Sequence, residues 1–242
     1  MNQPSQSQGF PPVPDAPAGP IAPEGIPIVG LFMTIGVGLT VGALILSNVA
    51  GYAVGALALI LNLWCLWFFR DPARVIPGDP SLVVSPADGE VVAVDQTPPP
   101  PEVEVSDEFR KGCRRISIFM NVFSVHVNRA PVAGTVTSVK HTVGKFLNAA
   151  WAKASTENER CSLVMRTADG SEVAAIQIAG LVARRIICRV GSGKQLNKGE
   201  RYGLIRFGSR VDVFVPESAV AEVKLGEKVT SGRSVIARMP SR

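Results

Sequence analysis

The chain reads as a mostly β body carried behind an apolar helical hairpin. Three observations predict this class. Residues 27–69 contain no charged side chain. Beyond them, short apolar alternations punctuated by turn residues recur to the end of the chain, the pattern of half-buried strands. The basic residues all follow the apolar stretch, the first being Arg70.

Residues 1–25 are rich in Pro, Gln, Ser and Ala and lack helix or strand periodicity, so they are expected to be a disordered tail. They also lack the basic start of a signal peptide. Residues 26–70 are expected to form the membrane hairpin and residues 71–242 the β-rich domain. Ser47-Asn48 and Gly51 divide the apolar stretch into halves of about 20 and about 17 residues, each just able to cross a bilayer as a helix. The spacings Gly38-x-x-x-Gly42 and Gly51-x-x-x-Gly55 permit close helix contact. Trp64 and Trp67 stand near the second helix end, as interfacial aromatics do. Arg70, Arg74, Lys111, Arg114 and Arg115 follow, so the positive-inside rule places the body in the cytoplasm, at the inner membrane.

The 242 residues carry 25 Lys and Arg against 20 Asp and Glu, a net charge of +5. Only Asp15 and Glu24 precede Arg70, so residues 70–242 carry about +7. A basic body beside an apolar anchor points to an anionic membrane or substrate. Nucleic acid is not expected, because no dense basic run with interleaved aromatics is present. Cys65, Cys113, Cys161 and Cys188 form no Cys-x-x-Cys pair, which argues against a disulfide framework or a zinc site and fits a reducing cytoplasm. No metal site is expected.

Strands are predicted over residues 89–95, 115–119, 134–140, 163–166, 173–179, 186–190, 204–207, 211–215 and 235–239, with one short helix or lid within 148–159. Four glycine turns, at Pro86-Ala-Asp-Gly89, Pro131-Val-Ala-Gly134, Leu196-Asn-Lys-Gly199 and Leu225-Gly226, flank such strands. This pattern resembles the β-sandwich of lipoyl and biotinyl carrier domains. It supports a fold rather than an activity, and it supplies the alternative function, a non-catalytic membrane-anchored adaptor.

The candidate chemistry centres on Gly208-Ser209, a Gly-Ser bond between two apolar runs where a strand is expected to turn sharply. Gly208 gives Ser209 room to fold its hydroxyl onto the preceding carbonyl. A second Gly-Ser bond at Ser192 lies in a turn with no strand directly after it. His126 sits in an alternating run, where a core histidine is the plain reading, and Asp88 precedes Gly89 in a common turn dipeptide. His141, at a strand end, reads as structural or surface. Phe119 and Phe123 read as core packing ahead of an acyl-facing slot.

Five motifs in order now carry a resemblance: Phe68-Phe-Arg-Asp-Pro72, Ser85-Pro-Ala-Asp-Gly89, Phe123-Ser-Val-His-Val-Asn-Arg-Ala-Pro131, Gly144-Lys-Phe-Leu-Asn-Ala149 and Arg206-Phe-Gly-Ser-Arg210. Over about residues 27–242 the chain resembles the short, membrane-associated phosphatidylserine decarboxylases. Some longer family members have Leu-Gly-Ser-Thr where this chain has Phe-Gly-Ser-Arg, and the Gly-Ser core is retained. The resemblance implies a proenzyme that cuts itself between Gly208 and Ser209 into residues 1–208 and 209–242, which stay together as a heterodimer and are free to form a higher oligomer. It maps Asp88, His126 and Ser209 onto an Asp-His-Ser triad. It implies that Ser209 becomes a covalent pyruvoyl cofactor, through which phosphatidylserine loses carbon dioxide by way of a Schiff base and becomes phosphatidylethanolamine. Arg129 and Lys145, beside motif residues, are the candidate contacts for the lipid phosphate.

Overall fold

The computed structural model describes residues 13–14, 19–46, 48–181, 185–206 and 208–240. The chain divides into two compact units, residues 17–73 and residues 1–16 with 74–242. Most of the expected disordered tail lies outside the described residues.

The smaller unit is a pair of helices, α1 (Ile26–Leu46) and α2 (Val49–Phe68). Both are long and apolar enough to cross a membrane. Asn48 starts α2 by accepting the Gly51 N–H on its side chain at 2.8 Å, which satisfies one of the helix's orphan donors. The interhelical contact differs from the spacing-based expectation. Gly51 and Gly55 do pack against Ala43 and Thr40, but Gly38 and Gly42 face open space. The close approach on α1 is made by Gly36, whose missing Cβ makes room for the buried Asn62 amide. Asn62 gives its side-chain N–H to the Ala58 carbonyl at 2.8 Å, so that donor is paired within its helix.

The larger unit is mostly sheet. In chain order its elements are β1 (Val13–Pro14), β2 (Val75–Ile76), β3 (Leu82–Val84), β4 (Gly89–Asp95), α3 (Asp107–Lys111), β5 (Cys113–Met120), β6 (Val127–Arg129) and β7 (Gly134–Thr142). Then follow α4 (Ala154–Glu157), β8 (Arg160–Arg166), β9 (Glu172–Ile178), β10 (Ile186–Cys188), β11 (Gln195–Leu196) and β12 (Arg201–Ile205). The last are β13 (Ser209–Pro216), β14 (Val220–Ala221), β15 (Lys228–Val229) and β16 (Val235–Arg238). Eight strands form one antiparallel sheet in the order β11-β7-β8-β9-β13-β5-β4-β15. Two three-stranded sheets, β10-β12-β6 and β14-β16-β3, accompany it.

Strand β13 lies at the middle of the large sheet and is buried from Ser209 to Val215. Its side chains alternate between two apolar clusters, as period-2 geometry requires. Val211, Val213 and Val215 enter the main cluster with Ile116, Ile118 and Leu163. Phe214 enters a second one with Phe109, Val164 and Ile176.

Three sequence expectations change. The helix sought in 148–159 shrinks to the single turn of α4, because the Asn148 side chain accepts the Ala150 N–H at 3.0 Å and holds the preceding residues in a turn instead. Helix α3 was not expected; Ser106 caps it through the Phe109 N–H at 3.3 Å. Of the predicted strand over 204–207, Phe207 lies outside the described residues, and the strand itself begins earlier, at Arg201.

Candidate active site

Ser209 and the turn bearing Asp88 lie at one edge of the large sheet. The register fixes this. Ser209, first in β13, pairs with Met120, last in β5, and Glu90 near the start of β4 pairs with Phe119. Ser209 is fully buried, and its hydroxyl donates to the Met120 sulfur at 3.5 Å. The Asn128 side-chain N–H reaches the same sulfur at 3.8 Å, and the side-chain Oδ1 of Asn128 accepts from the Gln177 amide at 2.8 Å. Met120 thus joins β13 to β6.

Gly208 adopts φ +55°, the left-handed conformation that glycine enters without strain. Its carbonyl oxygen lies hard against Gly180: a Cβ there would stand 1.7 Å from it. The bond ahead of Ser209 is therefore held in a fixed orientation by a neighbour that has no side chain.

His126 is buried one residue before β6. The pairing of β6 with β12 sets Val127 opposite Leu204, and the His126 carbonyl accepts the Ile205 N–H at 3.3 Å. Three residues beyond that contact the chain reaches Gly208. The His126 backbone is thereby joined to the strand that leads into the Gly-Ser bond.

Asp88 lies in the turn that leads into β4. Its carboxylate accepts from Arg74 at 2.9 Å and from the Ser231 N–H at 2.7 Å. Among the described residues its hydrogen bonds run to these groups, and none runs to His126. The turn itself abuts β6, since the Arg129 N–H donates to the Pro86 carbonyl at 2.9 Å. Asp88 and His126 therefore sit on neighbouring segments, with the carboxylate turned to Arg74.

The two candidate phosphate contacts differ sharply in setting. Arg129 is 1% exposed and gives Nη1 to the Gly199 carbonyl at 3.1 Å, tying β6 to a turn. Lys145 is exposed and pairs with Glu157 at 3.0 Å. Phe119 is half-buried in β5, whereas Phe123 is 64% exposed, so core packing does not describe it. His141 is half-exposed and lies 3.4 Å from Glu159, and Ser192 is exposed in its turn, in keeping with the plain readings of both.

These positions coincide with a family relationship. The family described as Phosphatidylserine decarboxylase matches residues 61–237. The chain belongs to this family. Among curated relatives, the Phosphatidylserine decarboxylase proenzyme of Paramagnetospirillum magneticum is 50% identical over 222 residues, covering 92% of this chain and 88% of the relative. The proteins of the same name from Nitratidesulfovibrio vulgaris and Ruegeria pomeroyi are 45% and 47% identical, over 92% and 90% of this chain and 96% and 94% of theirs.

Within this phosphatidylserine decarboxylase family member, one buried charge beside Ser209 had no role assigned from the sequence. Arg210 is 3% exposed and lies on the opposite face of β13 from Ser209. Its guanidinium pairs with Asp212 at 2.8 Å, donates to the carbonyls of Ala149 and Trp151 at 3.0 Å each, and contacts the Ser155 hydroxyl. Ser155 in turn donates to Asp212 at 2.9 Å. The network pins the residue after Ser209 to the loop that precedes α4. The available signal was the alternation Arg210-Val-Asp212 inside an apolar strand, which sets two opposite charges on one face.

The cofactor implied by the family, a pyruvoyl group made from Ser209, suits this position. Ser209 is closed off from water, its side chain contacts an apolar sulfur, and the Asn128 amide stands beside that sulfur as a polar group. A small ketone occupies no more room than the serine side chain it replaces.

Proposed function

We propose that this protein is a self-processing decarboxylase that converts phosphatidylserine to phosphatidylethanolamine and carbon dioxide, using a pyruvoyl group made from Ser209. The observation that carries the reading is the Gly208–Ser209 bond, with glycine at φ +55°, its carbonyl packed on Gly180, and a buried hydroxyl next to it. The proenzyme relatives support it.

His126 takes the Ser209 proton as a neutral imidazole, the natural base near pH 7. The hydroxyl oxygen then attacks the Gly208 carbonyl carbon, and the peptide becomes an ester. Loss of the Ser209 α-proton expels the upstream chain as the Gly208 carboxylate. The dehydroalanine left behind is hydrolysed with release of ammonia. Asp88, on the adjoining turn, stabilises the imidazolium that forms. When present, the pyruvoyl group supplies an electrophilic carbonyl that holds the substrate amine and accepts the electrons freed by decarboxylation. His126 then holds the proton that the substrate α-carbon requires, and Lys145 meets the lipid phosphate. Arg129, from its buried position, adds positive charge behind β6.

The fold accounts for how the two chains remain one protein after the cut. Residues 209–242 contain β13, paired along its length with β5 and over five residues with β9. They also contain β15 and β16, paired with β4 and β3. Separating the fragments would tear out the middle of the sheet. The apolar helices and the cations that follow them support a setting at the inner membrane with the body on the cytoplasmic side.

The test is the intact mass of the detergent-purified protein. Two chains split at Gly208, with the smaller lighter by one ammonia than a hydrolysis product, are expected. The Ser209→Ala chain should stay whole and inactive. A single full-length wild-type mass would favour the adaptor.

A further inference from the structure

The sheet edge that carries Ser209 also carries an unusual share of exposed apolar side chains. Register places the ends of six strands along it: Thr142 pairs with Arg160, Arg160 with Ile178, Ile178 with Arg210, Ser209 with Met120, and Glu90 with Phe119. From these ends emerge Val143, 83% exposed, Leu181, 68%, and Val122 with Phe123, 37% and 64%. Trp151, 52% exposed, belongs to the same edge because its carbonyl accepts from Arg210 and Ala149 touches Gly180. Among the described residues of the larger unit, only Val75, Val220 and Leu225 are comparably exposed and lie elsewhere. Scattered apolar side chains on a surface need no explanation, but five gathered on one rim do.

The charge on this rim indicates what covers it. Lys153 stands 5.2 Å from the Trp151 ring centroid, and Lys145, two residues after Val143, is exposed and paired with Glu157 at 3.0 Å. Aromatic and aliphatic side chains with adjacent lysines suit the interface of an anionic bilayer, where the rings enter the headgroup layer and the ammonium groups meet phosphate.

We propose that this rim is a second membrane contact, separate from the apolar helices, by which the catalytic edge docks on an anionic phospholipid surface. Docking sets the Ser209 edge at the depth of the headgroups, so that a lipid substrate is presented without leaving the bilayer. This role for the rim deepens the decarboxylase reading and rests on it, whereas the docking itself is measurable without any turnover.

The full chain with Trp64→Phe and Trp67→Phe keeps Trp151 as its sole tryptophan. Reconstituted in phosphatidylglycerol vesicles containing phospholipid brominated high on its acyl chains, it should show quenched Trp151 fluorescence. The Val143→Asp/Leu181→Asp variant should lose that quenching. Its turnover of long-chain phosphatidylserine in vesicles should fall roughly tenfold, the worth of about one buried apolar side chain. Its self-cleavage and its turnover of a monomeric short-chain phosphatidylserine should be unchanged. Unquenched Trp151 in the parent overturns docking. So does a variant that keeps full vesicle activity, or one that loses short-chain activity to the same degree. Quenching in a parent that releases carbon dioxide from neither lipid leaves docking standing and overturns the decarboxylase reading instead.

Discussion

Gly180 and the carbonyl of Gly208 pack so closely that no side chain fits between them: a Cβ on Gly180 would lie 1.7 Å from that oxygen and 3.3 Å from the Ala149 side chain. The contact sets the orientation of the bond ahead of Ser209. Gly180→Ala must push the Gly208 carbonyl away, because neither backbone nor the buried Ala149 can yield cheaply. Displacement of a reacting group by about 1 Å costs on the order of a hundredfold in rate. We expect self-cleavage of Gly180→Ala, followed as loss of the full-length band with time, to slow by about that factor. Cleavage at the wild-type rate would separate the carbonyl's orientation from the chemistry.

Asp88 is expected to matter through its charge rather than through its hold on Arg74. Asp88→Asn keeps the shape and the acceptor for the Ser231 N–H but removes the charge that would stabilise an imidazolium. Arg74→Gln removes the ion-pair partner and leaves the carboxylate in place. We expect the asparagine variant to cleave at least about a hundredfold more slowly and the glutamine variant to stay within about tenfold of wild type. Equal losses in both would reduce Asp88 to a strut of the turn before β4.

Much of this arrangement was legible in the sequence, and the exceptions have physical causes. Alternating apolar runs revealed β4, β5, β7, β8, β9, β13 and β16, since each is long enough for a period of two to register. Strands of two or three residues, such as β3, β6 and β11, are too short to show one, and they exist because neighbours supply their partners. Asp88, His126 and Ser209 were proposed through motifs, yet no sequence pattern disclosed that Asp88 turns to Arg74, some 14 positions earlier in the chain. Gly180 was overlooked altogether. Its importance comes from a carbonyl 28 residues away, and only the pairing of Arg210 with Ile178 brings the two together. On the helices, Gly51 and Gly55 make the contact their spacing implied, but on α1 the close approach belongs to Gly36, outside either motif, because a buried Asn62 stands opposite.

The Cys161 and Cys188 thiols, one buried and one half-buried, should give the body a pH signature on the alkaline side. Cys161 donates its S–H to Cys188, which holds Cys188 down at about 7 against burial, while the same bond and burial push the Cys161 thiol well up. In the unfolded chain both titrate near the ordinary value of 9.0. Between pH 7 and 9 the folded state therefore holds fewer protons than the unfolded one, and stability rises with pH. Above pH 9 the unfolded chain loses protons that folded Cys161 retains, and stability falls. Thermal unfolding of the uncleaved Ser209→Ala chain in detergent should show a midpoint that rises toward pH 9 and then declines, a span of about 1–2 kcal/mol. Cys188→Ala should flatten the rise. A rise that persists in that variant would assign it to other groups.

The Arg210–Asp212 pair offers a way to separate holding the fold from holding the site. Both side chains are buried, 3% and 1% exposed, and they share Ser155 as a partner. Asp212→Asn alone leaves a guanidinium buried without its counter-charge, which costs about 3–5 kcal/mol. We expect that variant to be poorly folded, and little about cleavage can be read from it. Replacing both members with apolar residues of similar size, Arg210→Met with Asp212→Leu, removes both charges together, and such exchanges are often neutral or stabilising. The double variant should therefore fold. It also loses the donors to the Ala149 and Trp151 carbonyls, so the loop bearing Ala149 is no longer tied to the strand that begins at Ser209. Because Ala149 backs Gly180, and Gly180 backs the Gly208 carbonyl, loosening that loop should slow self-cleavage by about tenfold or more while the melting temperature holds. A double variant that both folds and cleaves normally would mean that Arg210 serves the sheet alone.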